Sequence, residues 1–352
     1  MGLPIVLTIA AACLVVGGAV GYVIHANAAS PKPSAASSTI SITAAGTLGT
    51  LFPTVANALV NETPGASAPL AAQQYQGSLN ALATITSLHQ TFDLAAAADY
   101  RLVPHLLEPT WASWEVVFAS TPEALAYDPS ASALAGINST NWAAKVSSPG
   151  VVMGVANAST DPNGYNEIFV LQLEGLLLNG SPNNVYGHFF STPPGSFAIP
   201  NPATAHVEPE TQAATLLGAH QVQAFIIYQS YAVSHHLAYV ALDPRVSLGS
   251  LNVSLLPTYA MASTTIQGAS GSTVVKGAPV AFAVTVPLNA PNATLGDLFV
   301  HLLLSPQGEG LIAAAGFLPL LPGWSDRPAA LPGLIAPDVV PLPAAMANLI
   351  GS

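Results

Sequence analysis

The sequence predicts an α/β protein of two lobes, and three observations carry that prediction. Short β-branched or apolar runs alternate with segments of helical spacing, the pattern of strands feeding crossover helices. A glycine followed by a hydroxyl residue stands at two strand-to-helix junctions, as Gly46-Thr47 and Gly77-Ser78. The length, 352 residues, is enough for two cores of ordinary domain size.

The elements follow in chain order. Gly2 to about Ile24 is almost wholly apolar and long enough to span a bilayer. It has no positive n-region, but Ala26, Ala28 and Ala29 follow it. Residues 1–29 therefore read as a signal peptide or as an uncleaved membrane anchor. Residues 30–39, SPKPSAASST, form a Pro/Ser/Ala linker suited to standing a domain off a membrane. Thr39–Thr43 reads as a strand, and Ala44-Ala45-Gly46-Thr47 opens into a helix. Leu79–Leu88 has helical spacing, Phe92–Ala98 is a short apolar strand, and Val116–Phe118 and Ala124–Tyr127 are further strands. Val151–Val155 is a strand before a Gly/Pro/Asn-rich turn, and Glu167–Leu178 is a long helix. Thr211–Leu217 is helical and Ala224–Tyr228 is a buried strand. Pro279–Pro287 is an apolar strand and Leu295–Leu304 a helix. The Pro-rich tail from Leu321 reads as a wrapping segment.

Composition narrows the function classes. The chain is 51% hydrophobic and only 7% charged, with six Lys and Arg against 17 Asp and Glu and a formal net charge of −11. Six scattered cations cannot build a basic patch, which argues against nucleic-acid binding. An anion would have to be held by neutral dipoles: backbone N–H groups, hydroxyls and helix N-termini. Cys13 is the only cysteine and lies in the apolar segment, so the rest of the chain has no disulfide, thiolate metal site or cysteine nucleophile. Sequons at Asn61, Asn138, Asn157, Asn179, Asn252 and Asn292 fit an exported glycoprotein. The charge-poor surface suggests an acidic habitat. His235-His236 are adjacent rather than one turn apart, a poor metal pair. Asp99, just after a strand, reads as a structural cap. No GxSxG elbow, P-loop or HExxH occurs.

Eight segments in order carry a family resemblance: ITAAGTLGTLFP (Ile42–Pro53), YQGSLNALATI (Tyr75–Ile85), AAADYRLVPHLL (Ala96–Leu107), WASWEVVFAS (Trp111–Ser120), DPNGY (Asp161–Tyr165), VEPETQAATLL (Val207–Leu217), IIYQSYAVSHHLAYVAL (Ile226–Leu242) and HLLLSPQGEGLIAAAGFLPLLP (His301–Pro322). Together they resemble the archaeal type of molybdate/tungstate-binding protein of ABC transporters. The resemblance implies a periplasmic-binding-protein-like fold of type II, with two interlobe crossings and a central anion cleft. Lobe 1 is expected over residues 40–119 plus 240–320, lobe 2 over 120–239 and a tail over 321–352. It also implies a binding protein without turnover or cofactor. Its partners would be the molybdate or tungstate oxyanion and an ABC permease, at the extracellular face of the membrane.

The same resemblance assigns the site. Asp161, heading DPNGY where the family has DPCGY, and Glu210 in EPET match the family's two ligand carboxylates. Tyr228 matches its ligand tyrosine, and the backbone N–H of Asn163 is expected to face the oxyanion. Thr47 stands where the family usually has serine in AGSL, and Ser78 at the second glycine-hydroxyl junction. Each has a plainer reading. Thr47 and Ser78 fit N-caps, Asp161 an Asp-Pro turn, Glu210 a helix start and Tyr228 the core. A carboxylate about 4 Å from a dianion costs several kcal/mol even at an effective dielectric of about 20. Molybdenum(VI) and tungsten(VI), in contrast, can take carboxylate oxygens as ligands. Unperturbed carboxyls titrate near pH 4, and there protons would compete with the metal. Competing readings are a phosphate or sulfate binder, a surface hydrolase using Asp161 and Glu210, and a surface glycoprotein that has lost the ligand.

Overall fold

A computed structural model describes residues 39–62, 70–268 and 271–350. The apolar segment, Cys13 and nearly all of the linker lie outside the described residues. Among the described residues no helix is long and apolar enough to cross a membrane.

Two sheets organise the chain. The first is built from β1 (Ile40–Ala45), β2 (Leu70–Gln76), β3 (Leu94–Ala97) and β4 (Val116–Ser120), joined late in the chain by β12 (Ala281–Thr285), β13 (Leu318–Ser325) and β14 (Val339–Pro341). Its spatial order is β14-β13-β4-β12-β3-β1-β2. The second sheet contains β5 (Glu123–Tyr127), β6 (Met153–Val155), β7 (Ala205–Val207), β8 (Ala224–Tyr228) and β9 (Tyr239–Ala241), in the order β7-β6-β8-β5-β9. β1 is parallel to both β2 and β3, and β6 is parallel to both β7 and β8. β12 and β5 run against their neighbours. This is a mixed α/β architecture in which the crossover helices cover the parallel strands.

Central strands are almost wholly apolar because both faces are covered. β3, β4, β8 and β12 have every residue buried. Only Thr121 and Pro122 separate β4 in the first sheet from β5 in the second, so the forward crossing is a two-residue step. Beside it runs the returning chain: Glu123 N–H donates to the Ser247 carbonyl at 2.7 Å, and Val280 N–H to Leu248 at 2.8 Å. A side chain at Gly249 would collide with Pro122, its Cβ lying 2.4 Å from the Pro122 Cα, so the two crossings lie backbone to backbone. β9 still belongs to the second sheet. The chain rejoins the first sheet only at Ala281, well past residue 240. Between them a hairpin, β10 (Ser263–Gly268) and β11 (Gly271–Lys276), packs on the second lobe, where Gln172 exchanges two hydrogen bonds with the Ser263 backbone. The C-terminal residues supply β14 and seat Met346 in the first lobe's core, where Tyr100 Oη donates to its carbonyl.

Candidate functional site

Four chain segments meet where the lobes face one another. From the first lobe, β1 ends in the tight turn Gly46–Gly49 before the Leu51–Glu62 helix, and β2 ends at Gly77 before the Ser78–Thr86 helix. From the second lobe come the Asn157–Asp161 loop, leading into the Pro162–Asn179 helix, and the Pro209–Thr211 turn. The two glycines are required by this approach. A Cβ on Gly46 would stand 2.5 Å from Thr211 Cγ2, and one on Gly77 would stand 2.4 Å from the Thr160 carbonyl oxygen. At the mouth is a cavity of about 260 Å³, lined by Tyr75, Gly77 and Asn80 on one side and by Thr160, Asp161 and Glu210 on the other.

Thr47 and Ser78 are not N-caps. Thr47 lies inside its turn and its hydroxyl donates to the Glu210 carboxylate across the lobe boundary. Ser78 is the first helical residue after Gly77, and its Oγ accepts the Ala98 N–H at 3.0 Å. Both side chains are buried. Asp161 is the N-cap of the long helix, with Pro162 next, so its extended backbone and its carboxylate start that helix in the usual way. Its Oδ1 accepts the Asn163 N–H at 3.0 Å. That N–H was expected to face an oxyanion; here the cap holds it. The Asn163 side-chain amide is also engaged, by Glu167 and by the Ile226 carbonyl at 3.1 Å.

Asp161 and Glu210 come within hydrogen-bonding reach of each other. Burial pushes Asp161 up to about 6, against the opposing hydrogen bonds from Asn163 and Glu210. Burial also lifts Glu210 well above the carboxylate range, reinforced by the Asp161 charge and opposed by the Thr47 hydroxyl. Two carboxyls this close cannot both ionise cheaply, so they hold a proton between them near neutrality. Protons therefore compete for the pair at higher pH than unperturbed acids would allow. Among the described residues no cation acts on either group.

Tyr228 closes β8 with its hydroxyl buried and unpartnered, its ring edge-on to Phe282 at 5.6 Å. Opposite it in register is Glu123, fully buried. The Glu123 carboxyl faces the Asn166 amide, but neither oxygen makes a hydrogen bond of ordinary geometry. Glu167 accepts from the Ala156 N–H at 3.1 Å. Burial holds both glutamates well above the usual range. Sequence reasoning missed these two acids. The available signal was a glutamate standing next to an apolar run in each case, before Ala124–Ala126 and before Ile168–Leu171. Away from the site, His235 stacks on Tyr231 at 3.9 Å. Among the described residues no three His, Cys, Asp or Glu side chains are grouped to hold a metal ion.

The chain is 28% identical over 247 residues to the molybdate/tungstate-binding protein WtpA of Thermococcus kodakarensis, covering 66% of this chain and 68% of that one. Its fold resembles the periplasmic molybdate-binding protein of Azotobacter vinelandii, with a TM-score of 0.55 at 12% identity over 79% of this chain and 98% of the other. It also resembles the sulfate-binding protein SubI of Mycobacterium tuberculosis, with a TM-score of 0.52 at 12% identity over 86% and 92%. The two solved structures establish a shared two-lobed fold. Residues 40–318 match the family profile of bacterial extracellular solute-binding proteins, which takes in both sheets up to the first residue of β13. The chain belongs to the bacterial extracellular solute-binding protein family.

Proposed function

We propose that this protein captures molybdate or tungstate outside the cytoplasm, tethered by its N-terminal segment, and delivers it to an ABC-type permease. One observation carries the choice of ligand: Asp161 and Glu210 converge, buried and with no cation among the described residues acting on them, at the lobe boundary beside the Thr47 hydroxyl. For a dianion of fixed tetrahedral shape this is a poor site. Each ionised carboxylate at about 4 Å would repel it by several kcal/mol even at an effective dielectric of about 20. An oxyanion whose hexavalent metal can widen its coordination turns both groups into ligands, since hard oxygen donors suit such metals. Ser78, Tyr228 and the nearby backbone would then hold the oxo groups. The named ligand of the Thermococcus kodakarensis relative supports the same choice.

A glycosidase-type hydrolase is disfavoured by the same contact. Its two carboxyls would stand about 5 Å or more apart to flank a glycosidic bond, whereas Asp161 and Glu210 come within hydrogen-bonding reach of each other. The shared proton does favour one rival. A protonated carboxyl can donate to a sulfate or phosphate oxygen, so these ions are the competitors to test. Calorimetric titration of the full chain at neutral pH should show tungstate and molybdate binding at least about a hundredfold tighter than sulfate or phosphate. Equal affinity for sulfate would remove metal coordination from the mechanism.

A further inference from the structure

Two motifs leave residues that the ligand site does not use, and these residues touch each other. Asp99 and Arg101 follow β3 in the first lobe, and Tyr165 lies one turn into the Pro162–Asn179 helix, four residues after Asp161. Arg101 is one of only six Lys and Arg in the chain, and it is buried. Its Nη2 donates to Asp99 Oδ2 at 2.7 Å and its Nε to Oδ1 at 3.0 Å, while Asp99 Oδ1 also accepts the Arg101 N–H at 2.9 Å. The remaining place on Oδ2 is taken by the Tyr165 hydroxyl at 2.7 Å, reaching across from the second lobe. Arg101 Nη1 donates to the Lys276 carbonyl at 3.1 Å, at the end of the hairpin that packs on the same helix.

We propose that the Tyr165–Asp99 hydrogen bond is a latch between the lobes, holding them shut over a captured oxyanion and setting how slowly it leaves. The Arg101–Asp99 pair lies wholly within the first lobe, so opening leaves the pair itself intact and frees the Tyr165 hydroxyl from Asp99, with the Lys276 carbonyl of the hairpin as the one further contact on Arg101. The latch is therefore assembled in advance, and closing it orders one side chain rather than three. A buried hydrogen bond to a charged group is stronger than a neutral one because no water competes for it. Its position matters too. Tyr165 pins the first turn of the helix whose cap is Asp161, so the latch also fixes the depth at which that carboxyl meets the ligand.

The proposal rests on the oxyanion reading for what the lobes enclose, and the test separates the two. Tyr165→Phe keeps the ring and its contact with Phe169, whose centroid is 5.7 Å away, and removes only the hydroxyl. Tyr186→Phe, distant from the site, is the control for hydroxyl loss. In the full chain, tungstate should dissociate about tenfold faster from Tyr165→Phe with its association rate unchanged, while the control matches the parent. Interlobe distances, from spin labels on Leu88→Cys and Leu178→Cys in a Cys13→Ser background, should shift toward the open form in Tyr165→Phe with or without tungstate. If the parent bound no oxyanion, that distance measurement would still decide the latch while the ligand reading fell. Unchanged dissociation with an unchanged distance distribution would overturn the latch. So would a slower association rate together with a lower melting temperature, because the hydroxyl would then only support the fold.

Discussion

Glu210 is the residue on which the ligand reading turns, and its surroundings make a two-sided prediction. It is buried beside Asp161 and accepts the Thr47 hydroxyl, and among the described residues no cation compensates either acid. Replacing it with glutamine keeps its size and an acceptor for Thr47 but removes the charge that would bond a metal. Glu210→Gln should weaken tungstate binding by about a hundredfold or more. Because it also relieves a buried like-charge contact, the ligand-free protein should melt a few degrees higher. A variant that bound normally and melted lower would make Glu210 a helix-start residue and nothing more. The meeting of Asp161, Glu210 and Thr47 was legible only through the family resemblance, since turn chemistry alone gave each a plainer reading as a turn, a helix start or a cap. Asn163 was only half legible: its position could be read, but not that the cap would take its N–H. Glu123 and Glu167 were not legible, since a glutamate's letter does not show whether the strand register or helix face points it inward.

At the scale of elements, the junctions decide closure. Gly77 ends β2 and lets the next helix start against the Thr160–Asp161 backbone, a contact that exists only when the lobes are together. A methyl there meets a carbonyl oxygen at 2.4 Å, which a backbone-fixed neighbour cannot yield. Gly77→Ala should therefore reduce tungstate affinity by at least about tenfold and leave the melting temperature of the ligand-free protein within about two degrees. A large drop in melting temperature with affinity intact would place the glycine's role inside the first lobe. The central strands β8 and β12 were readable from their unbroken apolar runs, and the long helix from its length. β2 was missed because Gln73, Gln74 and Gln76 hide an edge strand behind polar letters. The β10–β11 hairpin was missed because most of its residues face outward. β13 was missed because Pro319 and Pro322 break the strand pattern. The structure admits them where the pairing with β4 slips between Pro319 and Trp324.

Over the whole molecule the acids set the response to pH. Burial raises Glu108 to about 7 and Asp161 to about 6, and it also raises Glu115, Glu123, Glu167, Glu174, Glu210, Asp297 and Asp326. Only Asp99, Asp128 and Asp243 are lowered among the described residues. A raised carboxyl holds its proton more tightly folded than unfolded, so folding takes up protons. This contribution is complete below the unfolded value of about 4.5 and is lost as pH rises through the folded values near 6 and 7. The three lowered aspartates act in the opposite sense, but only at and below their ordinary value of about 3.8. The protein should therefore melt several degrees higher at pH 5 than at pH 8, and a melting curve flat between those values would refute the burial of these acids.

β1 is the first described strand, and it lies between β2 and β3 with parallel pairing on both sides. Its entry is clamped, with the Ser41 N–H and hydroxyl both donating to the Asp93 carboxylate at 2.7 and 2.8 Å. Its exit runs straight into Gly46 and Thr47. Any tension arriving from the N-terminal side would load this strand lengthwise, so its hydrogen bonds would be sheared together rather than peeled one by one. A fold held in that way resists a pull at its root, so the turn that carries Thr47 keeps its shape until the whole strand gives way.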